Sequence, residues 1–247
     1  MLLSLPTAII HLLTVSEWLA AILLLRRYAV VAGFPRLRIF AHAMLPHLVA
    51  GLLVLSFHAS GDRVQWLLEG SRLMTFLGSL SLLCVTLLML RIRRIPSAWF
   101  ALALLVLGLT WGLSRLWVAD GLSALLPGAN LAYLGFLVLL LVVHRQSPSL
   151  FSPWSIAGFW FLLVFVAGAI VATRVATLQL GLPSLAHADA LHGASESLLS
   201  VSNFLIAFGA YRRLRLAKPQ SAIKAGPSAL DASAPVIDLP SNQSTIP

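Results

Sequence analysis

The sequence is poor in charged residues and in cysteine, and each shortage excludes a class of protein. Only 10% of its 247 residues are Asp, Glu, Lys or Arg, and 59% are hydrophobic. A soluble globular chain carries about 25% charged residues, so a soluble fold would leave many apolar side chains on its surface. The single cysteine, Cys84, allows no internal disulfide and no cysteine-based zinc site. The absence of CxxCH excludes covalent haem attachment.

Catalytic motifs are also missing. The zinc-binding helix motif HExxH does not occur, and neither does the HxxHH pattern of di-iron membrane desaturases. The run GASES around Ser195 lacks the second glycine of the GxSxG nucleophile turn, so this serine is interpreted as a helix-packing residue. The sequence therefore predicts no enzymatic activity, and it indicates no metal site.

Long apolar runs occupy most of the chain. A bilayer core about 30 Å thick requires about 20 apolar residues of helix, and seven runs approach that length, the fifth being short. Because the runs are continuous rather than alternating, they predict helices and not the strands of a β-barrel. The predicted fold class is all-α, a polytopic transmembrane helix bundle of about seven helices. The predicted spans are 6–25, 39–58, 66–90, 97–118, 131–144, 155–178 and 191–211.

Basic residues are concentrated on one side of this predicted bundle. Thirteen of the 17 lysines and arginines follow the first, third, fifth and seventh spans. Because basic loops remain on the cytoplasmic side of a membrane, the N-terminus is predicted to be outside and the C-terminus cytoplasmic. Six spans would place the basic C-terminal cluster on the wrong side. The same pattern explains the net charge of +9 without a nucleic-acid partner, and it makes the lipid bilayer the expected environment.

Three parts of the chain differ in composition. Residues 1–95 form a predicted three-helix transmembrane module, and residues 96–215 form a four-helix module. Residues 216–247 are rich in Pro, Ser and Ala without apolar periodicity, which predicts a disordered cytoplasmic tail. Within the second span, Pro46 predicts a kink.

Ionisable side chains inside membrane spans are costly and by default mark functional sites. His47 and His58 are eleven residues apart and share a helix face, and a second face carries His192, Glu196 and Asn203. A buried carboxyl group must be neutral or paired. A histidine of the second or seventh span is therefore the expected partner of Glu17 in the first span. The candidate cofactor ligands are His11, His47, His58 and His192, and the further polar site comprises Glu17, Glu196 and Asn203.

Three interpretations of these residues stay open. They can be interhelical hydrogen bonds that hold the bundle together. The histidines can be axial ligands of a haem or a chlorophyll, because neutral imidazole binds several metals. The polar stripe on the seventh helix can be a proton or ion path, as in a small proton-coupled transporter.

Two stretches resemble families from cyanobacteria and plastids. The first contains LPTAIIHLLTVSEWLAAILLLRRY and FAHAMLPHLVAGLLVLSFH, and it resembles the hypothetical chloroplast reading frame forty-nine family. The second contains HGASESLLSVSN and resembles another domain of unknown function, whose signature reads roughly WLHGGAESLLTLSN. The chain departs from that signature at Ala190, Ala194 and Ser195, where the signature has Trp, Gly and Ala. It also lacks the cysteine-rich run of the first family.

The resemblance implies an oxygenic phototroph and an integral protein of a cyanobacterial thylakoid or plasma membrane, but it implies no activity. Together with the absence of a catalytic constellation, it favours a non-enzymatic accessory protein that assists assembly, stability or regulation of a photosynthetic membrane complex. The alternatives are a haem- or chlorophyll-binding subunit and a small transporter.

Overall fold

The computed structural model describes residues 4–90 and 125–224, with side chains up to residue 217, and all regular structure in these ranges is helical. This confirms the all-α prediction for the described part of the chain. The helices are α1 (Leu5–Val31), α2 (Pro35–Ala43), α3 (Leu45–Ala59), α4 (Gln65–Met89), α5 (Leu125–Gln146), α6 (Pro153–Arg174) and α7 (Asp189–Lys224). A π-helical turn, Val175–Gln179, extends α6, and a 3-10 turn, Leu185–His187, precedes α7.

Five helical segments in the described ranges are long and apolar enough to cross a membrane. They are Leu5–Val31, Pro35–Ala59, Gln65–Met89, Leu125–Gln146 and Pro153–Gln179. These segments coincide with the first, second, third, fifth and sixth predicted spans. The fifth predicted span corresponds to α5, which is longer than predicted because it already begins at Leu125. The predicted fourth span, 97–118, lies outside the described residues.

The predicted seventh span lies within α7, which is not one of these five segments. The first half of α7 carries histidine, glutamate, asparagine and several serines, and these residues lower its hydropathy. Its neighbours explain how such a sequence fits the bundle. The helix packs most extensively against α1 and α6, so Ser202 and Asn203 face protein and are buried.

The boundary predicted at residue 216 falls inside a helix. The C-terminal helix α7 runs to Lys224, beyond the predicted end of the seventh span at 211. The remainder of the proposed tail, residues 225–247, lies outside the described residues.

The second span is broken close to Pro46. The break between α2 and α3 lies at Met44, and Pro46 occupies the first turn of α3, where its missing N–H removes no helical hydrogen bond. The indole Nε1 of Trp18 donates to the Met44 carbonyl oxygen at 3.1 Å. The helix is therefore interrupted two residues before Pro46, and a side chain of α1 donates to a carbonyl at the break.

The contacts between helices give their relative directions. The hydroxyl of Ser81 in α4 donates to the Ala43 carbonyl at the end of α2, whereas Gly70 faces Leu53 further along α3, so α4 is antiparallel to the second span. Ser4 contacts Asp189, and Leu23 lies in one cleft with Leu214. Residues that are later in α1 thus contact residues that are later in α7, so these two helices are parallel.

The largest buried side chains lie where α2, α5 and α6 meet. Phe40, Phe136 and Phe159 are fully buried, with ring centres 5.3–6.0 Å apart. Such separations are typical of aromatic pairs in protein cores. On the other side of α6, Gly158 lets α7 approach closely, and its carbonyl accepts a hydrogen bond of 2.8 Å from the Ser202 hydroxyl. These contacts fix the position of the polar helix α7 against the bundle.

Candidate functional site

Three histidines from three helices meet at one end of the bundle. His11, His58 and His192 are 4%, 6% and 7% exposed. The centres of their rings are 5.0, 5.1 and 5.2 Å apart. One nitrogen atom from each ring can be chosen so that all three lie within 4.8 Å of one another. We call these three residues the histidine cluster.

The helix directions explain why residues so distant in sequence converge. His11 lies near the start of α1, and His192 lies in the first turn of α7. Because these two helices are parallel, their beginnings are neighbours. His58 lies in the last turn of α3, which runs in the opposite direction and therefore ends at the same level. The basic residues at the end of α1, including Arg26 and Arg27, lie at the other end of the bundle.

A tight turn after α3 places a carboxylate beside the cluster. Gly61 and Asp62 both have a positive φ angle, 72° and 62°. Asp62 is the only non-glycine residue with a positive φ in the described ranges. Aspartate tolerates the left-handed conformation better than most residues. The turn brings the Asp62 Oδ1 to 2.7 Å from the Nδ1 of His58. Asp62 was not predicted as a site residue, although an aspartate four residues after a helical histidine and directly after a glycine was a usable signal.

A second carboxylate lies beside the other two rings. Glu196 Oε2 is 3.7 Å from His11 Nδ1, and Glu196 Oε1 is 4.0 Å from His192 Nε2. These separations are too long for hydrogen bonds, but they place one carboxylate between two imidazoles. The predicted face shared by His192 and Glu196 is therefore real, and it points toward the histidine of α1.

Two ring nitrogens of the cluster have no partner. His11 Nε2 and His192 Nδ1 are buried and form no hydrogen bond. A buried polar atom without a partner is costly and rare in native proteins. In both rings the unpartnered nitrogen is the one that does not face Glu196. In each ring of the cluster, one nitrogen thus faces a carboxylate and the other nitrogen does not.

The fourth predicted histidine ligand lies elsewhere. His47 sits on α3 against Trp18, with ring centres 5.8 Å apart, and its Nε2 is 3.5 Å from the Ser79 hydroxyl. Gly78 leaves room for the imidazole, because a Cβ at that position would overlap the ring. The contacts of His47 are those of a packed interhelical side chain, and it does not join the histidine cluster.

The remaining polar candidates continue along the interface between α1 and α7. The Ser200 hydroxyl donates to Glu17 Oε2 at 2.8 Å, and the Asn203 amide donates to the Thr14 carbonyl at 3.0 Å. The expectation that a histidine pairs with Glu17 is wrong, because α7 presents a serine at this level. The carboxylates that do lie beside histidines are Glu196 and Asp62.

The N-terminal side of the site is closed by a contact between chain segments distant in sequence. The Ser4 backbone N–H donates to Oδ1 of Asp189, the first residue of α7, at 3.0 Å. Hydrogen bonds from the Ser4 side chain and backbone lower the pKa of Asp189. This contact holds the start of α1 beside the start of α7, where two of the three histidines lie.

The arrangement of the rings argues against a tetrapyrrole between them. The three imidazoles contact one another directly at 5.0–5.2 Å. A macrocycle held by two of these histidines would have to lie between their rings, and rings in mutual contact leave no such gap. The ring contacts therefore give no support to a haem or chlorophyll held between two of these histidines.

Comparison with known proteins divides the chain into the same two stretches that the sequence indicates. A family described as a protein of unknown function (DUF2499) matches residues 2–88, and another described in the same words (DUF3593) matches residues 122–215. The first match contains His11 and His58, and the second contains His192. The histidine cluster is therefore built from both matched stretches.

A curated relative matches the first stretch. The Ycf49-like protein of the cyanobacterium Synechocystis sp. is 34% identical over 98 residues, which are 39% of this chain and 94% of the relative. No solved structure matches the chain significantly. The resemblance expected from the two sequence stretches is thereby confirmed, and the chain belongs to the Ycf49-like family, with a second domain of unknown function in the same polypeptide.

Proposed function

We propose that this chain is a non-enzymatic accessory protein of a photosynthetic membrane, and that its working part is the histidine cluster at one end of the bundle. The observation that carries the proposal is the convergence of three buried histidines and two carboxylates from both matched stretches. Apolar helices fill most of the described chain, so such a protein acts within the bilayer. Its cyanobacterial relative supports a thylakoid or plasma membrane of an oxygenic phototroph.

The position of the cluster also favours a functional role. Polar side chains that only join membrane helices are expected to form hydrogen bonds with each other, as Glu17 does with Ser200. Nδ1 of His47 also lacks a partner, but in the cluster two such nitrogens belong to rings that contact each other, which is an expensive arrangement for a structural contact. The predicted topology places this end of the bundle at the outer, non-cytoplasmic face, where a partner or ligand from that compartment can reach it.

The test is a set of chromosomal variants in the native organism. Deletion of the gene is expected to lower the level of at least one photosystem or cytochrome complex, or to slow electron flow. His11→Ala and His192→Ala are expected to reproduce the deletion while the protein still accumulates in membranes. His187→Ala is the matched control, because this histidine lies near the same end of the bundle but is exposed. Unchanged complexes and unchanged electron flow in the deletion strain would refute the proposal.

A second candidate function rests on the interface between α1 and α7. Glu196, Glu17 with Ser200, and Asn203 with Thr14 follow one another along that interface, which supports a small proton-coupled transporter. Uptake by proteoliposomes that depends on a proton gradient and is abolished by Glu196→Gln would favour transport over an accessory role.

A further inference from the structure

We propose that His11, His58 and His192 are the three protein ligands of one divalent transition-metal ion, with Zn²⁺ as the probe. The inference rests on the proposed function, since it names the ligand class of the same histidine cluster. It also revises the expectation from sequence that the chain has no metal site. None of the histidines lies within a recognisable metal motif, because one comes from each of three helices.

The ring spacing is that of a tetrahedral site. An ion about 2.0–2.1 Å from three imidazole nitrogens, in tetrahedral geometry, places the ring centres about 5.2 Å apart. The observed separations are 5.0, 5.1 and 5.2 Å. One nitrogen from each ring can be chosen so that the three lie within 4.8 Å of one another, and in a bound site this spacing is about 3.4 Å. The ring centres therefore already have the separation of a bound site, and closure of the site requires a shorter distance between the ligand nitrogens.

The positions of the carboxylates indicate which nitrogens are available. In protein metal sites, a ligating histidine usually donates its other N–H to a carboxylate or carbonyl, which fixes the ring and its tautomer. Asp62 accepts from Nδ1 of His58 at 2.7 Å, so Nε2 of that ring is the ligand atom. Glu196 faces Nδ1 of His11 and Nε2 of His192. The ligand atoms of these two rings are then His11 Nε2 and His192 Nδ1, the two nitrogens that are buried without a partner.

The chemistry of the donors selects the class of ion. Three neutral imidazoles suit Zn²⁺, Cu²⁺, Fe²⁺ or Ni²⁺, whereas Mg²⁺ and Ca²⁺ require oxygen ligands. Three protein ligands leave a fourth tetrahedral position for water or another molecule, as in sites that exchange ligands rather than purely structural ones. Two nearby carboxylates offset the charge of a dication in this buried position.

The experiment uses the full chain purified in detergent, stripped with a chelator and titrated with Zn²⁺ against a competing chelator. We expect one ion per chain. His11→Ala, His58→Ala and His192→Ala should each lower the affinity by at least about 100-fold. His187→Ala and His42→Ala, which remove exposed histidines, should leave the affinity unchanged. Substitution with Co²⁺ should give the intense visible absorption of a tetrahedral ion.

A wild-type measurement guards against variants that fail to fold. X-ray absorption at the zinc edge should show three imidazole ligands, recognised by the multiple scattering from their rings, and one further oxygen or nitrogen ligand. Stoichiometric binding that survives all three alanine variants, or a helical wild-type protein that binds neither Zn²⁺ nor Co²⁺ at micromolar concentration, would overturn the inference. If the ion does not bind but His11→Ala still reproduces the deletion strain, the metal site fails and the accessory function stands. If the ion binds but the deletion has no phenotype, the metal site stands and the accessory function fails.

Discussion

Gly158 in α6 is a position at which a single methyl group should separate two helices. A Cβ built there lies 2.7 Å from Ile206 Cγ1, and 2.8 Å from both the Ile206 backbone nitrogen and the Ser202 carbonyl oxygen. Non-bonded carbon atoms pack at about 3.5–4.0 Å, so the methyl group is too close by about 0.7 Å or more. Two of the three obstructing atoms belong to the backbone of α7, and a change of side-chain rotamer cannot move them.

The expected cost of Gly158→Ala follows from this geometry. Overpacking of a well-packed interface typically costs about 1–3 kcal/mol. Separation of α6 from α7 also weakens the hydrogen bond from the Ser202 hydroxyl to the Gly158 carbonyl, and an interhelical bond of this kind contributes about 0.6 kcal/mol in membrane proteins. We expect the free energy of unfolding to fall by about 2 kcal/mol, which is more than a tenfold change in the folded-to-unfolded ratio.

Gly70→Ala in α4 is the matched control. Its Cβ would meet only the Cδ1 of Leu53 at 3.4 Å, an ordinary contact with the flexible end of a side chain. Both substitutions replace a glycine within a helix by alanine, so the gain in helix propensity, about 1 kcal/mol, cancels in the comparison. Equilibrium unfolding in mixed micelles, followed by circular dichroism, measures the difference. If the two variants differ by less than about 0.5 kcal/mol, the close contact between α6 and α7 is refuted.

Three further predictions address the site and the topology. Asp62→Asn should lower Zn²⁺ affinity by about 10–100-fold without loss of helix, and equal affinity in a chelator competition would exclude Asp62 as the group that orients His58. Arg63 and Arg145 are both exposed, and each can be replaced by cysteine in a Cys84→Ser background. Impermeant thiol reagents should then label Arg145→Cys from the cytoplasmic side and Arg63→Cys from the opposite side. Labelling of both variants from the same side would contradict the seven-span topology. Residues 1–95 and 96–247, expressed as two chains, should copurify and together restore Zn²⁺ binding that neither part shows alone, and independent binding by the first part would mean that His192 is dispensable.

Sequence patterns were sufficient to predict the apolar helices. The five apolar segments were predicted because their exposed side chains are largely apolar, so hydropathy alone reports them. The kink was predicted because Pro46 cannot donate a backbone hydrogen bond. The C-terminal end of α7 was misjudged, because the sequence beyond Tyr211 is polar and hydropathy does not separate a polar helix from a coil.

Prediction of the candidate site was limited by packing between helices. Periodicity placed His192, Glu196 and Asn203 on one face of a helix, which the buried positions of His192 and Asn203 support. Periodicity within one helix cannot give the rotation of another helix around its axis, and this rotation decides that His11 joins the cluster while Glu17 meets Ser200. His47 and His58 share a helix, but they lie at different depths, so only the second reaches the level where α1 and α7 begin.

The division of the cluster between the two matched stretches bears on why both occur in one chain. The first stretch supplies His11, His58 and Asp62, and the second supplies His192 and Glu196. Two imidazoles alone are too few for a three-coordinate site, and Glu196 can orient His11 only when α7 lies beside α1. The Synechocystis relative is covered to 94% by a match of 98 residues, so it is too short to contain both stretches. A covalent link keeps α7 at a high effective concentration next to α1, and the complete cluster then forms within one molecule instead of depending on the encounter of two membrane proteins.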